Sequence, residues 1–185
     1  MARRALYAEL EKLPETMIGE IIDGELIASP RPSIAHAFAA TRLAADIGSR
    51  FDGPSDGPDA PGGWWILFEP ELHLGDDVLV PDIAGWRRER LPALRDLVAV
   101  STAPDWVCEI ISPSTAHIDR VRKMRAYARE GVPHLWIVDP VLRSVEVYRF
   151  VNGAWVADSA FAGEDRARAA PFESVILDIQ RWWAD

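Results

Sequence analysis

Two hydrophobic periodicities alternate along the chain, and between them they set out its elements. Leu6, Leu10 and Leu13 recur at helical spacing, which predicts a helix over residues 3–13 stopped by Pro14. Apolar positions at 18–22 and 25–28 flank Asp23-Gly24, a dipeptide suited to a type I′ turn, so an N-terminal hairpin follows. Pro30 and Pro32 break the chain, and Ser33 is placed to cap a helix running to about Phe51. Residues 52–63 hold four Gly, three Pro and three Asp in twelve positions, the composition of a flexible surface loop that could border a groove.

Strand patterns dominate the next stretch, at 64–69, near Leu72, at 78–86 and at 106–111. Ser112-Pro113-Ser114-Thr115 then turns the chain into a helix over about 116–130, with Gly131 and Pro133 as its C-terminal punctuation. In that helix Val121, Met124 and Ala128 are expected to form the buried stripe, with Asp119, Lys123 and Tyr127 along one flank. The apolar run 135–138 reads as a buried strand, and 145–150 and 154–157 flank Asn152-Gly153 as a C-terminal hairpin. A last strand is expected over 175–179, before Trp182-Trp183. Strand, strand, strand, helix, strand predicts an α/β (α+β) fold, a mixed sheet flanked by helices in one domain spanning 1–185.

Composition narrows the function classes. With 49% apolar and 26% charged residues the chain can build a core. Its net charge of −9 argues against coating nucleic acid by bulk charge, although a basic face on an enzyme stays open. One cysteine, Cys108, excludes a disulfide framework and a multi-cysteine zinc site. No apolar run approaches the roughly 20 residues of a membrane span, and the first residues lack a signal-peptide pattern. A cytoplasmic protein without a membrane partner is expected. Eight tryptophans, two of them at the chain end, point to a homodimer, because aromatic residues concentrate in interface cores.

The chemistry resides in carboxylates placed within apolar strands. Glu109 alternates with Val107 and Ile111, and Asp82 sits in the run Val78 to Ala84. Buried ionised carboxylates are costly unless compensated, and two on neighbouring strands invite a hard divalent cation with oxygen ligands. Glu69 is a third candidate ligand. The competing reading places either acid at a solvated strand end or beside an arginine. Lys123 is one of only two lysines against eighteen arginines, a point charge where the chain usually chooses a planar fork. An ordinary Asp119–Lys123 helix pair is the alternative. Cys108 alternates away from Glu109 and is expected to be buried and inert.

Several segments occur in one order: Gly19-Glu-Ile-Ile-Asp-Gly-Glu-Leu26, Ser29-Pro30 followed by His36, and Val80-Pro-Asp-Ile83. After them come Val107-Cys-Glu-Ile-Ile-Ser-Pro-Ser-Thr115, Asp119-x3-Lys123-x3-Tyr127 and Gly131-Val-Pro-His-Leu-Trp-Ile-Val-Asp-Pro140. Together they resemble the Uma2 family, the former domain of unknown function 820, within the PD-(D/E)XK nuclease superfamily. The resemblance covers nearly the whole chain from about residue 15. It implies a restriction-endonuclease-like core in which Asp82 and Glu109 are the two motif acids. The superfamily's usual lysine position is Ile111 here, and the Uma2 pattern carries the lysine on the next helix, as Lys123. The implied activity is an Mg²⁺-dependent endonuclease acting on DNA, with Mn²⁺ able to substitute. Asp82, Glu109 and Lys123 are its catalytic residues, Asp82, Glu109 and Glu69 its metal ligands, and His36, Arg120 and Tyr127 its substrate contacts. Five basic side chains against two acids over 119–130 fit a phosphate-binding helix. The alternative is a nuclease-like fold that no longer cuts and serves as a nucleic-acid or protein binding module.

Overall fold

The computed structural model describes residues 2–91, 93–95 and 97–184; Met1, Pro92, Asp96 and Asp185, and the side chains of residues 2–5, lie outside the described part. Helix α1 (Ala2–Leu10) leads into β1 (Met17–Ile22) and β2 (Glu25–Pro30). Asp23 and Gly24 have φ of 54° and 75°, the left-handed pair that a type I′ hairpin requires. Helix α2 (Ile34–Phe51) starts at Ser33, whose hydroxyl accepts the His36 amide. Its stripe Ala39, Ala40, Leu43, Ile47 and Phe51 is buried against the large sheet.

β3 (Trp64–Phe68), β4 (Leu72–Leu74), β5 (Asp77–Leu79) and β6 (Ile83–Arg87) follow. The single strand expected over 78–86 is therefore two strands, and they belong to different sheets: β5 lies in a four-stranded sheet of order β2-β1-β5-β4, and β6 in a larger, six-stranded one next to β3. Val80-Pro81-Asp82 is the crossing point. Pro81 has no N–H to contribute to a ladder, so pairing ends where the proline stands. β7 (Trp106–Ile110) and β8 (His134–Asp139) form the one parallel pair of the large sheet. The helix between them supplies the crossover that parallel neighbours need. β9 (Ser144–Val151) and β10 (Ala154–Ala162) make the C-terminal hairpin, longer than its apolar core predicted because the edge residues alternate with polar ones. The last expected strand shrinks to β12 (Leu177–Asp178), paired with β11 (Arg166–Ala167).

Each face of the large sheet carries its own core. On one face Trp106, Cys108 and Ile110 meet α2, Phe172 and the C-terminal segment. On the other Val107, Ile111, Leu135 and Ile137 meet Ala126, Tyr127 and Trp86. Trp182 and Trp183 are buried in the first core, with Trp182 stacked on Trp136 and the Trp183 indole donating to the Gly163 carbonyl. Their burial against their own sheet removes the argument for a homodimer drawn from them. The glycine-rich loop is closed by backbone hydrogen bonds from Gly62 to Arg50 and from Gly63 to Gly53, and none of residues 52–63 lines the main cavity. Among the described residues no helix is long and apolar enough to cross a membrane.

Candidate active site

A cavity of about 380 Å³ opens where the two sheets meet, lined by Glu20, His36, Asp82, Glu109, Asp119 and Lys123 among others. These six residues come from five features of the fold, Asp119 and Lys123 sharing the helix after β7. Glu20 comes from β1, Asp82 from the crossing point, Glu109 from near the C-terminal end of β7 and His36 from the first turn of α2. The β6–β7 register pairs Ile83 with Cys108, and one step further along it Asp82, just before β6, stands directly across from Glu109.

The helix after β7 has the wrong phase for the stripe its sequence predicted. Ile118–Lys123 is wound as a π-helix before α3 (Met124–Arg129) resumes the ordinary pitch. A π-turn changes the angle per residue, so a stripe drawn at 100° drifts off the core within one turn. Val121 is 46% exposed, and Asp119, Lys123 and Tyr127 are the residues turned inward instead. Lys123 is not on a flank. It is 3% exposed.

The hydrogen bonds form two neighbouring groups, one on Asp82 and one around Lys123. Asp82 binds His36 Nε2 through Oδ1 at 2.7 Å and accepts the Ile110 amide through Oδ2 at 2.7 Å. Glu109 accepts the Tyr127 hydroxyl through Oε1 at 2.5 Å and the Lys123 ammonium through Oε2 at 2.9 Å. Glu20 accepts the Val80 amide at 2.8 Å and pairs with Lys123 at 3.1 Å. Asp119 lies 3.7 Å from the same ammonium.

Three carboxylates, Glu109, Glu20 and Asp119, thus share one ammonium, a formal excess of two negative charges if all ionise, and Asp82 stands beside them paired with His36. Burial pushes the Glu109 carboxyl well above the usual range; Lys123 opposes the rise, and Asp119, Asp82 and Glu20 add to it. Asp119 is pushed up from 3.8 to about 6 by burial, with Lys123 again opposing. Burial disfavours the Lys123 ammonium, but Glu109, Glu20, Tyr127 and Asp119 outweigh it and keep the group charged. Burial and the Glu109 charge raise the Tyr127 hydroxyl, so it remains a donor.

Asp82, Glu109, Lys123 and His36 are therefore brought together. Glu69 is not. It sits just past β3 with φ of 45°, donates its amide to the Asp82 carbonyl, and its side chain does not line the cavity. Arg120 is held by both guanidinium nitrogens to Glu146 at 2.9 and 2.5 Å and does not line the cavity either. Tyr127 reaches the cavity only through Glu109. Of the basic helix, Arg122 pairs with Glu25 and Arg129 with Asp23 and Asp77, so most of its charge is spent inside the molecule. Glu20 and Asp119 are the residues that sequence reasoning undervalued. Glu20 was visible as the second residue of the hairpin motif, but its direction depends on which strand pairs with β1.

The donor set is suited to a hard divalent cation, being all carboxylate and carbonyl oxygen with unbalanced negative charge. No ready cluster of three His, Cys, Asp or Glu ligands exists among the described residues, because Lys123, Tyr127, His36 and the Ile110 amide hold the carboxylates. Each carboxylate still has free lone pairs, so the residues fit such an ion in charge and donor type.

The sequence profile of the Uma2 family, described as "Putative restriction endonuclease", matches residues 6–180. The chain is also similar to a crystal structure from Anabaena variabilis ATCC 29413, described as a "putative nuclease belonging to DUF820". The two are 25% identical with a TM-score of 0.76, over 95% of this chain and 96% of that one. None of the curated proteins compared with the chain matches it.

Proposed function

This chain belongs to the Uma2 family, and from that premise we propose that it is a metal-dependent endonuclease hydrolysing phosphodiester bonds in DNA. The observation that carries the reading is the meeting of Asp82 and Glu109 in one cavity, with two further acids and a charged lysine around them. Asp82 and Glu109 would hold Mg²⁺ or Mn²⁺, with Glu20 and Asp119 close enough to add charge. A divalent cation there polarises a phosphoryl oxygen and makes water a competent nucleophile near neutral pH.

The protein groups have separate tasks. His36 and the Ile110 amide fix both oxygens of Asp82, so this carboxylate presents its remaining lone pairs in one direction. Lys123 and Tyr127 grip Glu109 from behind and fix its plane in the same way. The Lys123 ammonium also places permanent positive charge in the cavity wall, where charge develops on the phosphorane-like transition state. Ser33, Ser112, Ser114 and Thr115 supply hydroxyls at the mouth for flanking phosphates.

The test is plasmid nicking with Mn²⁺, run beside calorimetric Mn²⁺ titration. Wild type should bind the ion and cleave, and Asp82→Asn should lose at least about a hundredfold in rate, the scale for removing one preorganised charged group. A second reading, a binding module that does not cut, has one observation in its favour: Ile111 stands where the superfamily usually has lysine. Mn²⁺ and DNA binding without cleavage would select that reading, and no Mn²⁺ binding would remove the first.

A further inference from the structure

The Lys123 ammonium sits in a cage made only of oxygens. Glu109 Oε2 is at 2.9 Å, Glu20 Oε1 at 3.1 Å, the Val80 carbonyl at 3.2 Å and Asp119 Oδ1 at 3.7 Å. These four atoms come from β7, β1, the crossing point between the sheets and the π-turn. Three carboxylates and a carbonyl are what a hard divalent cation selects. Here the selected cation is covalently part of the chain, and burial leaves it 3% exposed.

Metal-dependent phosphodiesterases often place two ions about 3.5–4 Å apart across a shared carboxylate. Glu109 has the position of such a shared wall: the cage lies on its Oε2 side, and Asp82, just before β6, stands directly across from it along the β6–β7 register. We infer that Lys123 is the resident cation of the second metal position, so that the protein binds a single divalent ion, on the Asp82 side of Glu109. This rests on the metal dependence proposed above. Two features of the cage support it. Its oxygens already satisfy the ammonium, so an incoming ion would have to displace a tethered charge or sit against it. The lysine also enters through a π-wound turn, which brings Asp119 and Lys123 inward together and closes the cage from the helix side.

Mn²⁺ binding to the full chain, without nucleic acid, tests this by calorimetry and electron paramagnetic resonance. Wild type should take up one Mn²⁺ per chain with the spectrum of an isolated ion. Lys123→Ala empties the cage and should take up two, with spin coupling between them. Propylammonium in the buffer should refill the cage of this variant and return the count to one. Lys123→Ser serves as a second variant, each being checked for folding by circular dichroism. If neither folds, the wild-type count decides. Two coupled ions in wild type, or a folded Lys123→Ala that still binds one, overturn the inference while leaving metal dependence intact. A wild type that binds none overturns the metal dependence itself, and the inference with it.

Discussion

Cys108 and Glu109 are consecutive residues of β7, both essentially fully buried, yet they face opposite worlds. Cys108 points into the aromatic core, where Phe172 touches Phe51, Trp64, Trp106 and Trp136 with ring centroids 4.5–5.7 Å apart. Nothing there needs charge, and burial simply pushes the thiol up into its neutral form. Glu109 points into the cavity, where its carboxylate is held by the Lys123 ammonium and the Tyr127 hydroxyl. The first face gains stability by removing apolar surface from water. The second gives stability up, because three acids held around one ammonium, with Asp82 beside them, repel each other. A sheet buried on both faces lets one strand do both, with the packed face holding the strained face in place.

Perturbing both faces should separate them. Phe172→Ala should cost about 3–5 kcal/mol through the cavity it leaves, and Lys123→Ala without metal about the same, through stranded buried carboxylates. The two losses should respond differently to Mn²⁺. Saturating ion should recover much of the Lys123→Ala loss in thermal melts and leave the additional loss in Phe172→Ala unchanged. Equal responses would show that the faces are not separate.

Asp119 gives the next largest effect. Its folded carboxyl titrates near 6 against 3.8 in its ordinary state, so the folded form holds a proton that the unfolded form has lost. The contribution is favourable below about pH 4 and is lost as pH rises through 6. In chelator, Asp119→Asn should therefore be more stable than wild type at pH 7 by about 1–3 kcal/mol, with the difference shrinking toward pH 4. His134 works in the opposite direction, since burial lowers its pKa and its protonation favours unfolding as pH falls below 6.5. Comparing the two proteins at each pH cancels that contribution. Melts of equal Tm across the range would mean that the acids do not repel.

Arg120→Ala should matter least. Its partner Glu146 is held low by the guanidinium hydrogen bonds, a contribution present above about pH 4.5 and lost as pH falls further. The pair is about a third exposed on each side, so about 0.5–1 kcal/mol is expected after solvent screening. Mn²⁺ affinity should not change. A fall in Mn²⁺ affinity would tie this outer pair to the cavity after all.

Local order in this protein is written in residues close together in the chain. Asp23-Gly24 and Asn152-Gly153 close their hairpins because two adjacent positive φ angles are a local demand. Ser33 starts α2 for an equally local reason, one hydroxyl three residues from the amide it caps. Alternation along β7 likewise separates Cys108 from Glu109, since side chains in a strand point to opposite faces whatever packs on them. The site depended on longer reach. Periodicity says which residues share a helix face but assumes a constant turn angle, and the π-turn at Ile118–Lys123 moved Lys123 from the expected flank into the interior. Glu20, and not the expected third ligand Glu69, joins the acids of the cavity because β1 pairs with β5, a contact between residues 57 apart that links the hairpin to the crossing point. Arg120 is kept from the cavity by Glu146, and the two tryptophans expected at a dimer interface are taken up by the chain's own core. The sequence alone determined most of the elements, their order and the face of β7 on which Glu109 lies, because those are properties of neighbours in the chain. Which charges face one another, and which cation balances them, was decided only by the tertiary structure, because Coulomb energy depends on distance in space and on burial.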